Sequence, residues 1–371
     1  MQDGIKHIML DYGLAVFILS VAIILVIAGV RSNRNITKQI CYNLTAVFVA
    51  FFIYEVWPVA SHTEEENHME GSYTQDYFED NEVLGYGPSK DSMTVTSRKL
   101  LNGSNTVVYD VVYTIRQGLR YTPNTKASSK KHALFFGGSF MFGEGLNDNE
   151  TMPYYYNEFK NCQFEVRNYG FHGYGPHQAL ATIESKVVND EELLDSDTVN
   201  AFYFFIPTHI ARAKGSSWDQ AGPRYEVVDG KLRHEGSFKE NRIWLLRNKL
   251  GEKILTIWNR SKIYNSFFQQ KIDDTDILRT ALIIEKMNVL LTERNMNFTV
   301  VLSKSNGVES ELEKYSRDRL IHLLNEKGVT NYKIEEIIDD YENSGDKYAI
   351  KNEGHPNSLH NKLVANFLAR Q

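Results

Sequence analysis

The sequence predicts an α/β domain with a mostly parallel sheet covered on both faces, preceded by two transmembrane helices. Two long apolar runs fill the first sixty residues, and from His132 onward apolar β-type runs alternate with helical stretches. Continuous hydrophobic strands separated by helices are typical of a parallel sheet that is buried on both faces. Ligands of such sheets bind beyond the carboxyl ends of the strands.

The elements of this domain follow from the pattern of apolar residues. The strand candidates are HALFFGG, FEVRNYG, NAFYFFIP, NFTVVLSK and NYKIEEII. Amphipathic helical patterns lie near residues 151–160, 176–190, 252–296, 308–327 and 358–370. The segment 224–236 carries an Asp229-Gly230 hairpin signal, which predicts an insertion over one edge of the expected ligand site.

Two apolar runs predict the membrane helices. Residues 12–30 contain no charge, and this length is about the ~20 residues that cross a ~30 Å hydrocarbon core. A cleaved signal peptide is the alternative, but the run exceeds a typical apolar signal region and lacks a basic start and a small-residue cleavage site. The second run, residues 40–60, is apolar apart from Glu55, which we assign to the headgroup zone rather than to a functional intramembrane role.

The basic residues between these runs predict the orientation in the membrane. Arg31, Arg34 and Lys38 lie there without an acidic residue, so the positive-inside rule places this short loop in the cytoplasm. Residues 61–371 are then expected in a periplasm or at a cell surface.

We therefore divide the chain into four parts. Residues 1–60 form a two-helix transmembrane anchor. Residues 61–82 are acidic and poor in aliphatic side chains, which predicts a solvated linker. Residues 83–131 contain short β-type patterns around an Asn102-Gly103-Ser104 turn signal and predict a small β-rich lead-in. Residues 132–371 form the α/β domain.

Charge and cysteine content limit the possible partners. The net charge is −6, with 47 acidic and 41 basic side chains, so nothing predicts electrostatic binding of nucleic acid. Cys41 lies in an apolar run and Cys162 in the soluble part, so we expect no disulfide between them.

A candidate nucleophile follows the first predicted strand of the α/β domain. Ser139 comes after two glycines, which permit close approach and unusual backbone angles, so its hydroxyl and its own N–H can face one pocket. This is not the GxSxG elbow of α/β-hydrolases, because Met141 occupies the final glycine position. A plain turn is the alternative interpretation.

Two further motifs complete a candidate site. The second strand ends in the glycine-rich loop 168–175, whose N–H groups suit oxyanion stabilisation, although such a loop can also lack chemistry. His355 precedes an amphipathic helix near the C-terminus, two residues after Glu353. A nearby carboxylate can hold a histidine in the tautomer that a general base requires.

These three motifs, in this order, resemble the SGNH hydrolase superfamily, also called GDSL esterases. That superfamily has a flavodoxin-like three-layer α/β/α sandwich with a block I serine, a block II glycine, a block III asparagine and a block V histidine. The resemblance covers residues 132–371 and is similar in character to the membrane-associated bacterial branch, whose members acetylate or deacetylate extracytoplasmic polysaccharides.

The resemblance implies roles for the matching residues. Ser139 matches the nucleophile, and its backbone N–H matches one oxyanion donor. Gly173 matches the block II glycine, and Asn168 opens that block as a candidate substrate contact. His355 matches the general base.

Two positions depart from the family pattern. Glu353 stands where an aspartate is usual, with Asp346 as the alternative residue to orient the histidine. In block III, Thr208 stands opposite the family's asparagine, and His209 lies beside it. We favour His209 as the third oxyanion donor because of its reach and donor type, with Thr208 as the alternative.

The resemblance implies a serine esterase or acyltransferase that needs no metal or cofactor. We expect it on a bacterial inner or cytoplasmic membrane with its catalytic domain outside, acting on an O-acetyl or similar ester of a cell-envelope glycan or lipid. Trp218 is a candidate substrate-facing aromatic side chain. The alternative is a catalytically inactive carbohydrate-binding or envelope-assembly protein of the same fold, which the altered block III favours.

Overall fold

A computed structural model describes residues 13–56, 69–101, 106–216, 218–240, 263, 272–304 and 309–371. The chain divides into two compact units, Met1–Glu66 with Glu240–Lys271 and Asn67–Lys239 with Ile272–Gln371. Each unit is described by itself.

Residues 13–56 of the first unit form helices α1 (Gly13–Arg31) and α2 (Asn35–Val56), which pack against each other. Both are long and apolar enough to cross a membrane. Their apolar side chains are largely exposed, as Phe17 at 62% and Ile36 at 75% show. Glu55 is buried, and its carboxylate accepts a hydrogen bond from the Ile263 N–H at 3.0 Å. This bond gives Glu55 a structural partner within the unit.

The described strands of the second unit are β1 (Met69–Tyr73), β2 (Phe78–Asn81), β3 (Gly85–Pro88), β4 (Ser92–Leu101), β5 (Val107–Arg116), β6 (Leu119–Arg120), β7 (Lys131–Gly137), β8 (Glu165–Asn168), β9 (Thr198–Phe205), β10 (Pro223–Val228), β11 (Lys231–Ser237), β12 (Asn297–Leu302) and β13 (Asn331–Lys333). Nine of these strands form one sheet in the order β1-β4-β5-β6-β8-β7-β9-β12-β13, and the others form two separate hairpins, β2-β3 and β10-β11.

The strands β8-β7-β9-β12-β13 are parallel and have the 2-1-3-4-5 order of flavodoxin-like folds. This confirms the predicted fold class. The five strand candidates all contain a strand, but in NYKIEEII only the first three residues pair. Helix formation begins directly after them, at Ile334, because that side chain packs into the core as part of a helical turn.

Helices cover both faces of the parallel strands. They are α3 (Ser139–Phe142), α4 (Met152–Phe159), α5 (Pro176–Thr182), α6 (Glu191–Leu194), α7 (Thr208–Lys214), α8 (Asp274–Thr292), α9 (Glu311–Glu326), α10 (Ile334–Ile337) and α11 (Ser358–Leu368). Alternating strand residues divide the core: Leu134 and Phe136 pack with α5 and α8, whereas Ala133 and Phe135 pack with α4 and α11. Of the predicted helical stretch 252–296, the structure has α8 (Asp274–Thr292), whereas residues 252–271 lie outside the described residues apart from Ile263.

The predicted linker is wrong for residues 69–82, because β1 and β2 form there. Its acidic side chains, such as Glu79 and Asp80, are exposed, while Tyr77 between them and β1 is 1% exposed. Aromatic burial therefore orders a segment whose average composition is that of a solvated chain. Residues 61–68 and the turn signal at 102–104 lie outside the described residues.

An antiparallel arm, defined here as β1, β4, β5 and β6, extends the parallel sheet. It joins the core where Arg120 of β6 pairs with Asn168 of β8. The predicted lead-in is thus continuous with the sheet of the α/β domain. The predicted hairpin at Asp229-Gly230 is present, and both turn residues have positive φ, at 51° and 71°.

Candidate active site

Ser139 is the first residue of α3, immediately beyond the carboxyl end of β7. Gly138 precedes it in a crowded position: a Cβ there would lie 2.8 Å from Arg212 Nη1 and 2.9 Å from the carbonyl oxygen of Tyr174. Only glycine fits this position without displacing its neighbours. The close packing fixes the turn that aims the serine at the sheet edge.

His355 reaches Ser139 from the loop before α11. Its Nε2 lies 2.7 Å from Ser139 Oγ, although the two residues are 216 positions apart in the chain. The loop is held by a hydrogen bond from the Ile350 N–H to the His355 carbonyl oxygen, at 2.7 Å. The structure therefore brings the predicted nucleophile and the predicted base into direct contact.

Glu353 completes the chain of hydrogen bonds. Its Oε1 lies 2.6 Å from His355 Nδ1, and its Oε2 accepts the His355 backbone N–H at 2.9 Å. Glu353 rather than the exposed Asp346 thus contacts the imidazole. With Nδ1–H donated to a carboxylate, Nε2 is left to accept the serine proton.

Lys99 of β4 also binds Glu353. Its Nζ lies 2.8 Å from the same Oε1, and the Glu353 side chain is only 1% exposed. Burial acts to raise the pKa of Glu353, but the hydrogen bonds and charges of His355 and Lys99 outweigh it and lower the pKa below its usual value. The carboxylate is therefore held ionised beneath the histidine.

A second carboxylate, Glu144, faces the other side of His355. Its Oε2 lies 3.7 Å from His355 Nε2 and 2.7 Å from His172 Nδ1. The Tyr73 hydroxyl donates to Oε1 at 3.2 Å, and His172 Nε2 lies 3.1 Å from the Tyr77 hydroxyl. Burial acts to raise the pKa of Glu144, but His172, His355 and Lys99 lower it well below the usual range. The pocket thus contains two ionised carboxylates.

Two backbone N–H groups are available at the expected oxyanion site. In the described part of the chain, the N–H groups of Ser139 and Gly173 donate no hydrogen bond. Gly173 has φ +73°, and a Cβ there would lie 2.6 Å from the Tyr86 hydroxyl and 3.0 Å from Trp218 Nε1. This position requires glycine for both conformation and space.

The two block III candidates lie on different sides of α7. Thr208 is exposed, whereas His209 is fully buried. His209 Nδ1 accepts hydrogen bonds from the Tyr203 hydroxyl and the Ile206 N–H, which leaves the proton on Nε2. Burial holds the pKa of His209 well below its usual value, with Arg212 and His177 adding to the effect, so the ring is neutral. The His209 ring has no exposed surface, and its Nε2 has no hydrogen-bond partner among the described residues, so the role of His209 as a direct oxyanion donor stays a prediction.

Of the two predicted substrate contacts, Asn168 is buried and Trp218 is exposed. Asn168 is 1% exposed, donates to the Met141 carbonyl oxygen at 3.0 Å and accepts the Gly170 N–H at 3.0 Å. It joins the serine turn to the block II loop and has no surface to offer a substrate, because both ends of its amide are occupied by backbone. Trp218 is 60% exposed beside Gly173, at the rim of the site.

Several solved structures match this chain at low sequence identity, among them the following three. A protein described as lipolytic and of the G-D-S-L family, from Desulfitobacterium hafniense, has 13% identity and a TM-score of 0.34, over 65% of this chain and 98% of its own. A GDSL-like lipase from Parabacteroides merdae has 13% identity and a TM-score of 0.36, over 67% and 98%. An acetylxylan esterase from Geobacillus stearothermophilus has 10% identity and a TM-score of 0.37, over 65% and 94%. No family model and no curated protein matches the chain.

Among the residues that the structure describes, two groups of side chains have the composition of metal ligands. Glu144, Glu353 and His355 offer ligand atoms within 4.8 Å of one another, as do His132, Glu165 and Glu192. In the first group, the hydrogen bonds to Ser139, Lys99 and His172 already engage the ligand atoms. In the second, Arg167 forms ion pairs with both carboxylates. The carboxylates of both groups therefore have protein partners, whereas the ring nitrogens of His132 are buried without a hydrogen-bond partner among the described residues.

Four residues of the site carry no role in the sequence-based prediction: Lys99, Glu144, His172 and Arg212. Glu144 and His172 stand among glycines in the two motifs at the strand ends, and that position was a usable signal. Arg212 follows His209 by three residues on α7 and so shares its face. Lys99 carries no local signal, because its place depends on how the antiparallel arm pairs.

Proposed function

We propose that this protein is an SGNH/GDSL-type ester hydrolase that works through an acyl-enzyme on Ser139. The observation that carries the proposal is the unbroken chain of hydrogen bonds from Ser139 through His355 to Glu353, at 2.7 and 2.6 Å. A nucleophile, a base and a group that orients the base within hydrogen-bond reach are the parts that acyl transfer requires.

The first step forms the acyl-enzyme. His355 Nε2 takes the proton of Ser139 Oγ as the oxygen attacks the ester carbonyl carbon, and the carbonyl π electrons move onto oxygen. The N–H groups of Ser139 and Gly173 are the backbone donors for that oxyanion. When the tetrahedral intermediate collapses, the C–O bond to the alcohol breaks, and His355 returns the proton to the departing oxygen.

The second step transfers the acyl group from Ser139. His355 takes a proton from water or from a sugar hydroxyl, whose oxygen attacks the acyl carbon, and Ser139 leaves with the proton. Attack by water gives a hydrolase, whereas attack by a sugar hydroxyl gives an acyltransferase. The ionised Glu353 stabilises the imidazolium that forms in both steps.

We favour a short acyl group, acetyl in particular, carried by a cell-envelope glycan or lipid. Ser139 is only 6% exposed, and the Phe140 ring lies 5.0 Å from the His355 ring, which restricts the space around the acyl carbon. The exposed indole of Trp218 beside Gly173 is suited to contact a sugar or lipid on the alcohol side.

We also propose that α1 and α2 tether the protein to a bacterial membrane, with residues 61–371 outside the cytoplasm. Exposed Phe, Ile, Leu and Val side chains along both helices support contact with lipid. The basic loop between the helices supports the orientation. An envelope substrate would then lie on the same side of the membrane as the site.

Labelling with a fluorophosphonate tests the nucleophile directly. The full chain in detergent should be labelled at neutral pH, and Ser139→Ala should lose the label. Ser185→Ala is the matched control, because the Ser185 hydroxyl donates to the Ala181 carbonyl oxygen four residues earlier. Absence of label on the folded wild-type chain would reject the esterase proposal in favour of a binding or assembly role.

A series of p-nitrophenyl esters tests the acyl preference. Turnover of the acetate should exceed that of the octanoate, since the longer chain meets the restricted space beside Phe140. Preference for the octanoate would reject the short-acyl proposal. Release of acetate from envelope polysaccharide would then identify a glycan rather than a lipid as the substrate.

A further inference from the structure

The helix that follows β9 presents one cation to the rim of the site. α7 runs from Thr208 to Lys214, and His209 and Arg212, three residues apart, lie on its inward face. Both touch the turn that carries the nucleophile: a Cβ on Gly138 would lie 2.8 Å from Arg212 Nη1 and 3.2 Å from His209 Nε2. Of the two side chains, only that of Arg212 is partly exposed.

Arg212 bridges the two loops that supply the backbone donors. Its Nη1 donates to the Tyr174 carbonyl oxygen at 2.8 Å, one residue after Gly173. A Cβ and the nitrogen of the following residue lie roughly 3 Å apart by covalent geometry, so Nη1 is within about 6 Å of the Ser139 nitrogen. The guanidinium therefore contacts the loop that carries Gly173 and lies close to the turn that carries Ser139.

The guanidinium keeps donors for a ligand. That single bond to Tyr174 is its hydrogen bond within the described residues, and its Nε is buried without a partner there. A guanidinium has five N–H donors and stays protonated in proteins. Burial acts to lower the pKa of Arg212, and Tyr86, Tyr203 and Glu144 oppose that effect. The geometry thus provides a cation with unused donors next to the oxyanion site.

We propose that Arg212 is the third oxyanion donor, in the role that a block III asparagine has in the superfamily. This inference rests on the proposed esterase function. As the Ser139 Oγ–carbon bond forms and the carbonyl π electrons move to oxygen, an Arg212 N–H donates to that oxygen beside the N–H groups of Ser139 and Gly173. No proton leaves the guanidinium, and the serine proton goes to His355 Nε2.

A cation has two consequences that an amide donor would not have. Hydrogen bonds from a charged donor to an oxyanion are roughly twice as strong as neutral ones. In addition, the positive charge offsets the field of Glu144 and Glu353, two carboxylates that would otherwise oppose negative charge on the substrate oxygen. His209 has a supporting part, because its neutral, buried ring packs against Gly138 and so helps to hold the turn that carries Ser139.

The test compares Arg212→Gln and Arg212→Lys with the wild-type full chain, using p-nitrophenyl acetate. The glutamine keeps an amide donor, but it is two bonds shorter than the Arg212 Nη1 arm and lacks the charge, and the lysine keeps the charge. We expect kcat to fall about 10²–10³-fold in R212Q with little change in KM, as for loss of an oxyanion donor, and less in R212K. Lys214→Gln removes a charge from the same helix, at a residue that pairs with Asp276, and should leave kcat unchanged.

A pair of inhibitors separates catalysis from loop support. A trifluoromethyl ketone forms an anionic adduct with the serine, whereas the matched methyl ketone binds without forming one. In R212Q the affinity for the trifluoromethyl ketone should fall in step with kcat/KM, and the affinity for the methyl ketone should stay constant.

Equal loss of both affinities, or a kcat in R212Q within threefold of wild type, would overturn the inference. A wild-type chain with no turnover and no fluorophosphonate label would instead overturn the esterase function itself.

Discussion

Lys99 and His355 share one oxygen of Glu353, at 2.8 and 2.6 Å. The lysine comes from the antiparallel arm and the histidine from the loop before α11, so the carboxylate joins two distant parts of the chain. This arrangement makes the charge state of Glu353 depend on a strand outside the parallel core.

Replacing Lys99 should shift the pH dependence of activity. Lys99 helps to lower the pKa of Glu353, so Lys99→Met should let that pKa rise and move the acid limb of kcat/KM to higher pH. If the attraction between Lys99 and Glu353 is worth ~1.4 kcal/mol, its loss should lower kcat/KM at acid pH about tenfold. Lys99→Arg keeps the charge and should keep the profile; a K99M profile that overlays wild type would contradict the assignment.

Replacing Glu353 should remove most activity without unfolding the chain. Glu353→Gln loses the charge that stabilises the imidazolium and leaves the tautomer of His355 unfixed, so kcat should fall about 10³–10⁴-fold. Asp346→Asn is the control, because Asp346 is exposed and should not affect turnover. Equal losses in the two variants would show that Glu353 does not have the orienting role. Steady-state kinetics with p-nitrophenyl acetate measures both.

Gly173→Ala should impair both stability and turnover. A residue with a side chain at φ +73° costs roughly 1–2 kcal/mol, and the new Cβ would meet the Tyr86 hydroxyl. Displacing the Gly173 N–H should lower kcat about 10²-fold. Gly328 is the matched control, with φ +65° and open surroundings, so Gly328→Ala should lose similar backbone stability but retain kcat. Thermal unfolding and kinetics on both variants test this; retained kcat in G173A would exclude the oxyanion role.

Glu144 should make the fold sensitive to acid. Its pKa is lower in the folded chain than the unfolded value of about 4.3, so its contribution to stability is complete above that pH and is lost as the pH falls toward the folded value. We expect Tm to drop between about pH 5 and pH 3 in wild type, and a shallower drop in Glu144→Gln. Glu285→Gln removes a carboxylate paired with Lys327 at the surface and should keep the wild-type slope. Identical slopes in wild type and E144Q would contradict the prediction.

The parallel core could be predicted from the sequence because its signals are local. Leu134, Phe136 and their neighbours form short continuous apolar runs, which are typical of a strand buried on both faces. Ser139 and His355 were found for a related reason. Each lies where an element begins or ends, and glycines mark those positions.

The rest of the site depends on tertiary pairing. The position of Lys99 over Glu353 follows from the register of β4 against β1 and β5, which no local pattern specifies. The sequence-based choice lay between His209 and Thr208, and Arg212 was not considered, because spacing along the chain does not show how deeply each side chain on one helix face is covered. The strands β1 and β2 were missed because the acidic composition of their segment is typical of a solvated linker. The buried ring of Tyr77, which stabilises this segment, is not visible in the composition.

The antiparallel arm also limits how the protein can be shortened. A fragment that starts at β7 would still include the serine, the glycine loop and the histidine, but no ammonium group would cover the glutamate beneath them. A fragment that retains all of these contacts must therefore begin upstream of β4. A domain boundary at residue 131 would separate Lys99 from Glu353.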